Sequence, residues 1–144
     1  YWEAAIRLGA DYIHLGQEDL AAADIARIKQ SGMKLGISTH SLEELEIALA
    51  AEPDYVALGP VYETILKKMK WQPQGLEKVS RWRVVLDSDP KTAHLPLIAI
   101  GGITPERAPG VLAAGADSTA VVTDLIMADA PLERARHWVK VCSD

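Results

Sequence analysis

The chain has 144 residues, 49% of them apolar and 24% charged, and a net charge of −5. This length and balance predict one globular domain with its own core, and the acidic surplus offers no footprint for nucleic acid or an anionic membrane. No apolar run approaches a membrane span, and a single cysteine, Cys142, excludes an internal disulfide or a cysteine-built zinc site, which suits a reducing compartment, the cytosol.

Tyr1 to Leu8 reads as the second half of an amphipathic helix already under way, so the chain is expected to begin inside a longer natural sequence. Gly9 stops that helix, a short strand starts near Tyr12 and runs to Gly16, and Gln17-Glu18-Asp19 follows at its C-terminal end. Helix signals run from Leu20 to about Gln30, with Leu20, Ile25 and Ile28 on one face and Gly32 as terminator. Lys34 to Ser38 is the second strand, followed by Thr39-His40 and then the capping box Ser41-Leu42-Glu43-Glu44, which opens a helix through Ala51. The third strand is Asp54 to Gly59, and a long connection, Pro60 to Gly75, follows it. Loops of that size inside a compact domain are usually functional or disordered.

Leu76 to about Asp87 is a helix with Leu76, Val79, Val84 and Leu86 apolar. Leu97-Ile98-Ala99-Ile100 has the unbroken apolar pattern of a strand buried on both faces, as in a parallel sheet. Gly101-Gly102 then demands a sharp turn or a close backbone approach. Thr104 reads as the N-cap of a helix from Pro105 to Ala114. A strand near Thr119 and a helix from about Leu132 to Val141 complete the chain.

Gly9-Ala10-Asp11-Tyr12, Glu52-Pro53-Asp54-Tyr55 and Gly115-Ala116-Asp117-Ser118 repeat one device, a turn residue ending a helix and an aspartate leading into a strand. Strand starts near 12, 34, 55, 97 and 119 are spaced by about 22 residues, one βα unit, with one double step that holds the long loop. Strict alternation predicts a parallel α/β sheet with right-handed crossovers. Five units do not close an eight-stranded barrel, so the pattern fits either a complete open sheet or the C-terminal five-eighths of a (β/α)8 barrel.

In both architectures function collects at the C-terminal ends of the strands. The residues there are Gln17, Glu18 and Asp19; Ser38, Thr39 and His40; Tyr62, Thr64, Lys67 and Lys68; Gly101 and Gly102; and Val122 and Thr123. Gly101-Gly102 before a capped helix either presents backbone N–H groups to an anion or is a plain tight turn. Asp19, with Glu18, suits a Mg2+ ligand or a helix cap. Ser38 suits a ligand donor or a cap, and His40 an acid–base group or a structural one. His14 alternates within its strand and is expected to pack or hydrogen-bond there, and Trp71, Trp82 and Trp138 are expected to pack. Lys67, Lys68 and Lys70 suit a phosphate clamp or a solvated face. Read together, the set describes a phosphate site with a divalent metal.

Five stretches in order, His14-Leu15-Gly16-Gln17-Glu18-Asp19-Leu20, Leu35 to Ser41, Leu58-Gly59-Pro60-Val61-Tyr62, Gln74-Gly75-Leu76 and Ala99 to Thr104, resemble thiamine-phosphate synthase over nearly the whole chain. The resemblance implies a (β/α)8 barrel, here represented by about five βα units with the first three absent. It implies a transferase of thiamine biosynthesis that couples hydroxymethylpyrimidine pyrophosphate to thiazole phosphate, giving thiamine phosphate and pyrophosphate. Asp19 matches the second of two Mg2+-binding aspartates, and Ser38 a serine near the pyrimidine and pyrophosphate. Thr64 and Lys67 match a Thr-x-Thr-Lys loop in which the threonines hold the thiazole phosphate and the lysine binds pyrophosphate. Gly102, Val122 and Thr123 match the thiazole-phosphate cradle, with Gly101 beside it. Mg2+ and Lys67 would neutralise the leaving pyrophosphate.

Leu66 stands where the family has the second threonine, and Thr123 where serine is usual. The absent units carry the family's Gln-x-Arg-x-Lys segment and Asn-Asp pair, so the resemblance implies an inactive chain unless a partner or upstream sequence restores them. A tautomerase of the same superfamily, with His40 as its acid–base group, is one alternative. A non-catalytic paralogue that binds thiazole phosphate is another. An incomplete barrel would also leave outer strand edges open to self-association.

Overall fold

A computed structural model describes residues 1–64 and 71–143. It divides into two compact units, Tyr1–Ala57 and Leu58–Asp144. The elements, in chain order, are α1 (Trp2–Arg7), β1 (Tyr12–Leu15), α2 (Gln17–Ala22), α3 (Ile25–Gln30), β2 (Lys34–Thr39), α4 (Leu42–Ala50), β3 (Tyr55–Leu58), α5 (Gly75–Asp87), β4 (Leu97–Ile100), α6 (Ala108–Ala113), β5 (Ser118–Ala120), α7 (Thr123–Ile126) and α8 (Pro131–Ser143). The strands form one sheet in the order β1-β2-β3-β4-β5, the α/β alternation expected from the sequence. Among the described residues no helix is long and apolar enough to cross a membrane.

In the first unit β1 and β2 pair in parallel, with His14 opposite Gly36 and Leu15 opposite Ile37. Ile28, Leu35, Ile37 and Leu45 are essentially inaccessible, each such side chain contributing roughly 1.5–3 kcal/mol of burial. The helix expected from Leu20 to Gln30 is two helices. Ala23 and Asp24 are extended, and the Asp24 carboxylate accepts from Arg27 N at 3.0 Å, so a side chain that competes for backbone N–H groups restarts the helix.

Two of the three repeated aspartates, Asp54 and Asp117, share one physical role, whereas at Asp11 the backbone carbonyl accepts from Lys34 N at 2.9 Å. Asp54 N–H donates to Leu35 O at 2.7 Å while its carboxylate accepts from Leu35 N at 2.8 Å. In the second unit Asp117 N–H donates to Leu97 O at 2.9 Å while its carboxylate accepts from Leu97 N at 2.7 Å. Each aspartate therefore satisfies both polar groups of a leucine on the neighbouring strand where the regular ladder begins.

In the second unit β4 and β5 pair in parallel, Ile98 opposite Ser118 and Ile100 opposite Ala120. The long connection is closed at its base: Gln74 N donates to Pro60 O at 2.7 Å and Gly75 N to Val61 O at 3.0 Å. Its first residues run beside the end of β4, with Val61 N on Ile100 O at 2.9 Å and Tyr62 N on Gly101 O at 3.0 Å. On α5, Val79, Trp82 and Leu86 are the buried face. Val84, although apolar, is 68% exposed, because the 3.6-residue period puts it opposite the stripe that Trp82 occupies. Arg83 donates to Ala93 O, Leu95 O and the Asp117 carboxylate at 3.1–3.2 Å, fastening the segment before β4.

The helix expected from Pro105 begins at Ala108, and no side-chain cap is made at its start. Pro109 has no N–H to give the Pro105 carbonyl, so residues 105–107 form a turn closed by Arg107 N and Ala108 N on Thr104 O.

Candidate active site

In the first unit the site residues gather around Ser38, near the C-terminal end of β2. Gln17, the first residue of α2, donates its amide to Ser38 O at 2.7 Å. The Ser38 hydroxyl lies 2.7 Å from His14 Nε2, and His14 Nδ1 lies 3.0 Å from the Tyr55 hydroxyl. The His14 and Tyr55 rings stack at 5.6 Å. Their approach depends on Gly36, where a Cβ would overlap Cζ and the hydroxyl of Tyr55. Desolvation of the His14 ring holds its pKa below the ordinary 6.5, and burial pushes the Tyr55 hydroxyl above its usual value. The imidazole is therefore neutral and the phenol protonated at neutral pH. His14 was expected to pack or hydrogen-bond within its strand; both of its nitrogens instead reach side chains of the two following strands.

Asp19 lies in the first turn of α2, whose N-cap is Gly16. The capping alternative for Asp19 therefore fails, since the helix starts three residues earlier than the residue signals indicate. With Glu18 it places negative charge at the positive end of the helix. No group of three or more His, Cys, Asp or Glu residues suited to a metal occurs among the described residues. Asp19 thus fits Mg2+ only as one ligand, with oxygens of a substrate phosphate and water completing the shell. His40 serves α4: Glu44 Oε2 accepts from His40 N at 2.7 Å and lies 2.8 Å from His40 Nδ1, while Ser41 accepts from Glu44 N at 3.2 Å. The capping box expected from the sequence thereby extends one residue back to the histidine.

In the second unit Gly101 and Gly102 both hold positive φ, +100° and +62°. A Cβ on Gly101 would sit 2.6 Å from Pro60 Cα, and one on Gly102 would collide with Glu63 O and stand 2.8 Å from Tyr62 Cβ. Both glycines are thus required twice, by backbone conformation and by the approach of residues 60–63. Arg107 donates to Gly102 O at 2.6 Å and lies 4.5 Å over the Tyr62 ring, locking the turn to the same segment. Thr64 is half-buried at the end of that segment. Lys67, Lys68 and Lys70, with Leu66, lie outside the described residues. Val122 precedes α7 and accepts from Leu125 N and Ile126 N, so Thr123 is the helix's first residue.

The turn after β4 and the start of α7 are tied together by one side chain. Arg134, on α8, holds Asp124 through Nε at 2.8 Å and Nη2 at 2.7 Å, and reaches Glu106 at 3.2 and 3.4 Å. Trp138, buried as expected, adds Nε1–H to Asp124 at 2.7 Å. Hydrogen bonds from Thr104, a backbone N–H and Arg134 hold the Glu106 carboxyl down at about 2, and Arg134 lowers that of Asp124. Sequence reasoning missed Arg107, Asp124 and Arg134. Each is an ordinary charged residue in a turn or helix, and only the fold shows that the flanks of Gly102 and Thr123 share a guanidinium.

The family model described as thiamine monophosphate synthase matches residues 1–125. The chain is 59% identical over 139 residues to the thiamine-phosphate synthase of Rhizobium etli, covering 96% of this chain and 65% of that protein. It is 48% identical over 128 residues to that of Klebsiella pneumoniae, covering 89% of this chain and 58% of the relative. A solved thiamine phosphate pyrophosphorylase from Pyrococcus furiosus superposes with a TM-score of 0.78 at 28% identity, covering 99% of this chain and 64% of that one. The chain therefore spans less than two thirds of the length of these relatives. Its βα units are of the (β/α)8 barrel type. The family model runs from β1 through β5, and the chain belongs to the thiamine monophosphate synthase family.

Proposed function

We propose that this chain carries the C-terminal part of a thiamine-phosphate synthase, a cytoplasmic transferase that joins hydroxymethylpyrimidine pyrophosphate to thiazole phosphate. The observation that carries the reading is the doubly constrained Gly101-Gly102 turn directly after β4, in a chain 59% identical to a relative bearing that name. The loops after the last two barrel strands are where a phosphate commonly sits, and this turn is fixed there against residues 60–63. Gly101, Gly102, Val122, Thr123 and Thr64 would hold the thiazole phosphate. Gln17 and Ser38 would face the pyrimidine pyrophosphate, and Lys67 its leaving group.

In the reaction the methylene C–O bond breaks, pyrophosphate leaves with the electron pair, and the thiazole nitrogen supplies the pair for the new C–N bond. The residues' work is to align nitrogen and methylene and to balance the charge that builds on the leaving oxygens. Mg2+, held by Asp19 and phosphate oxygens, would share that neutralisation. The tautomerase alternative is disfavoured by the relatives, which bear the synthase name at 59% and 48% identity. Self-association through β1 and β5, the outer strands of the order, belongs to the same reading, and light scattering that finds only monomer removes that part.

A coupling assay with both substrates and Mg2+, following thiamine phosphate by its fluorescent oxidation product, tests the activity. Turnover establishes it for this chain. No turnover, with thiazole phosphate still raising the melting temperature, restricts the chain to the thiazole half of the site. Absence of both turnover and stabilisation refutes the reading.

A further inference from the structure

We propose that Tyr55 and His14 are positioning residues that aim the Ser38 hydroxyl as a hydrogen-bond donor, in a relay running from Tyr55 O–H to His14 Nδ1 and from His14 Nε2–H to Ser38 Oγ. The inference deepens the synthase reading and rests on it for the identity of the acceptor, but the relay itself is a property of the first unit alone.

The three groups come from three strands, and their meeting is built in. His14 stands opposite Gly36 in the β1–β2 register, and the missing side chain at Gly36 is the space that Tyr55 fills. The result is two contacts on one imidazole, 3.0 Å to the phenol and 2.7 Å to the serine. Gln17 holds the Ser38 carbonyl at 2.7 Å, so main chain and side chain of Ser38 are both fixed.

A neutral imidazole has one N–H and one acceptor nitrogen, so its two partners must play opposite roles. The phenol is far more acidic than a serine hydroxyl and is the stronger donor. With its proton on Nδ1's lone pair, the ring N–H falls on Nε2 and points to Ser38 Oγ. That leaves the Ser38 O–H to donate outward. Phosphate oxygens and ring nitrogens accept only, so a serine serving pyrimidine pyrophosphate needs its proton facing the ligand. The opposite tautomer would spend that proton on His14 and turn serine lone pairs toward an anion.

The test uses the chain without ligand and then with inorganic pyrophosphate and Mg2+. Nitrogen NMR of the His14 ring should show Nε2 protonated and Nδ1 bare. Tyr55→Phe removes a donor that favours the neutral ring, so the His14 pKa should rise. Pyrophosphate affinity should fall roughly 3- to 10-fold in Tyr55→Phe, the size expected for one hydrogen bond, with little further loss when Ser38 is already alanine. Gly36→Ala, which displaces the phenol without deleting it, should reproduce the Tyr55→Phe spectrum. A protonated Nδ1, or equal losses with and without the Ser38 hydroxyl, overturns the relay. The expected ring signals with no pyrophosphate binding would uphold the relay and refute the synthase assignment of Ser38.

Discussion

Gly102→Ala is the substitution that most directly tests how the turn after β4 is built. The residue sits at φ +62°, and a methyl group there would collide with Glu63 O and lie 2.8 Å from Tyr62 Cβ. Holding an alanine in the left-handed region costs about 1–2 kcal/mol. Forcing the methyl against neighbouring backbone adds about 1–3 kcal/mol, and the stiffer unfolded chain returns about 0.4–1 kcal/mol. The net loss is about 3 kcal/mol, or roughly 6–12 °C in melting temperature for a chain of this size. Gly32→Ala is the control, since φ is +79° there and nothing lies within 4 Å of the added methyl. It should cost only the conformational part, about 1 kcal/mol. Urea unfolding followed by tryptophan fluorescence compares the two, with Trp82 and Trp138 as buried reporters. Equal losses would mean that residues 62–63 give way freely and that their close approach does not shape the turn.

Trp82→Ala, at a fully buried position of α5, should cost about 3–5 kcal/mol and is measured by the same unfolding experiment; a loss below 1 kcal/mol would show that the side chain does not organise the second unit. Asp54→Ala and Asp117→Ala should each cost about 1–2 kcal/mol by leaving the N–H of Leu35 or Leu97 without its carboxylate partner, and faster amide exchange at those two leucines is the specific signature. The pH dependence follows from two depressed groups. Glu106 falls from 4.5 to about 2, so its tie to Arg134 is fully stabilising above 4.5 and is lost as pH falls toward 2; Glu106→Gln should flatten that part of the melting-temperature profile. His14 is held below 6.5, so the unfolded chain takes its proton first and stability declines as pH drops below 6.5; His14→Gln should remove that slope.

Much of the architecture is written in local pattern. The apolar run Leu97–Ile100, the capping box at Ser41 and the strand-leading aspartates each draw on neighbours within a few residues, and periodicity alone reports them. The five motifs likewise named the family, because each is a short run that can be read without knowing what packs around it. Where the sequence reading erred, a competing local bond decided the outcome. Asp24 restarted a helix that periodicity ran straight through, and Pro109 delayed one that Thr104 was expected to cap.

What tertiary structure alone decided concerns partners distant in sequence. Nothing near His14 indicates that its two nitrogens meet Tyr55 and Ser38, 41 and 24 residues away; that depends on a strand register and on an empty Gly36. Nor does Arg134 announce that it holds Glu106 and Asp124, 28 and 10 residues back, and so braces the flanks of Gly102 and Thr123 together. The sequence by itself determined the βα order and the chemical types at the strand ends, because both follow from side-chain period and turn chemistry. The fold decided which of those groups are aimed and held, because hydrogen bonds between strands and from the last helix exist only once the chain has closed the distance.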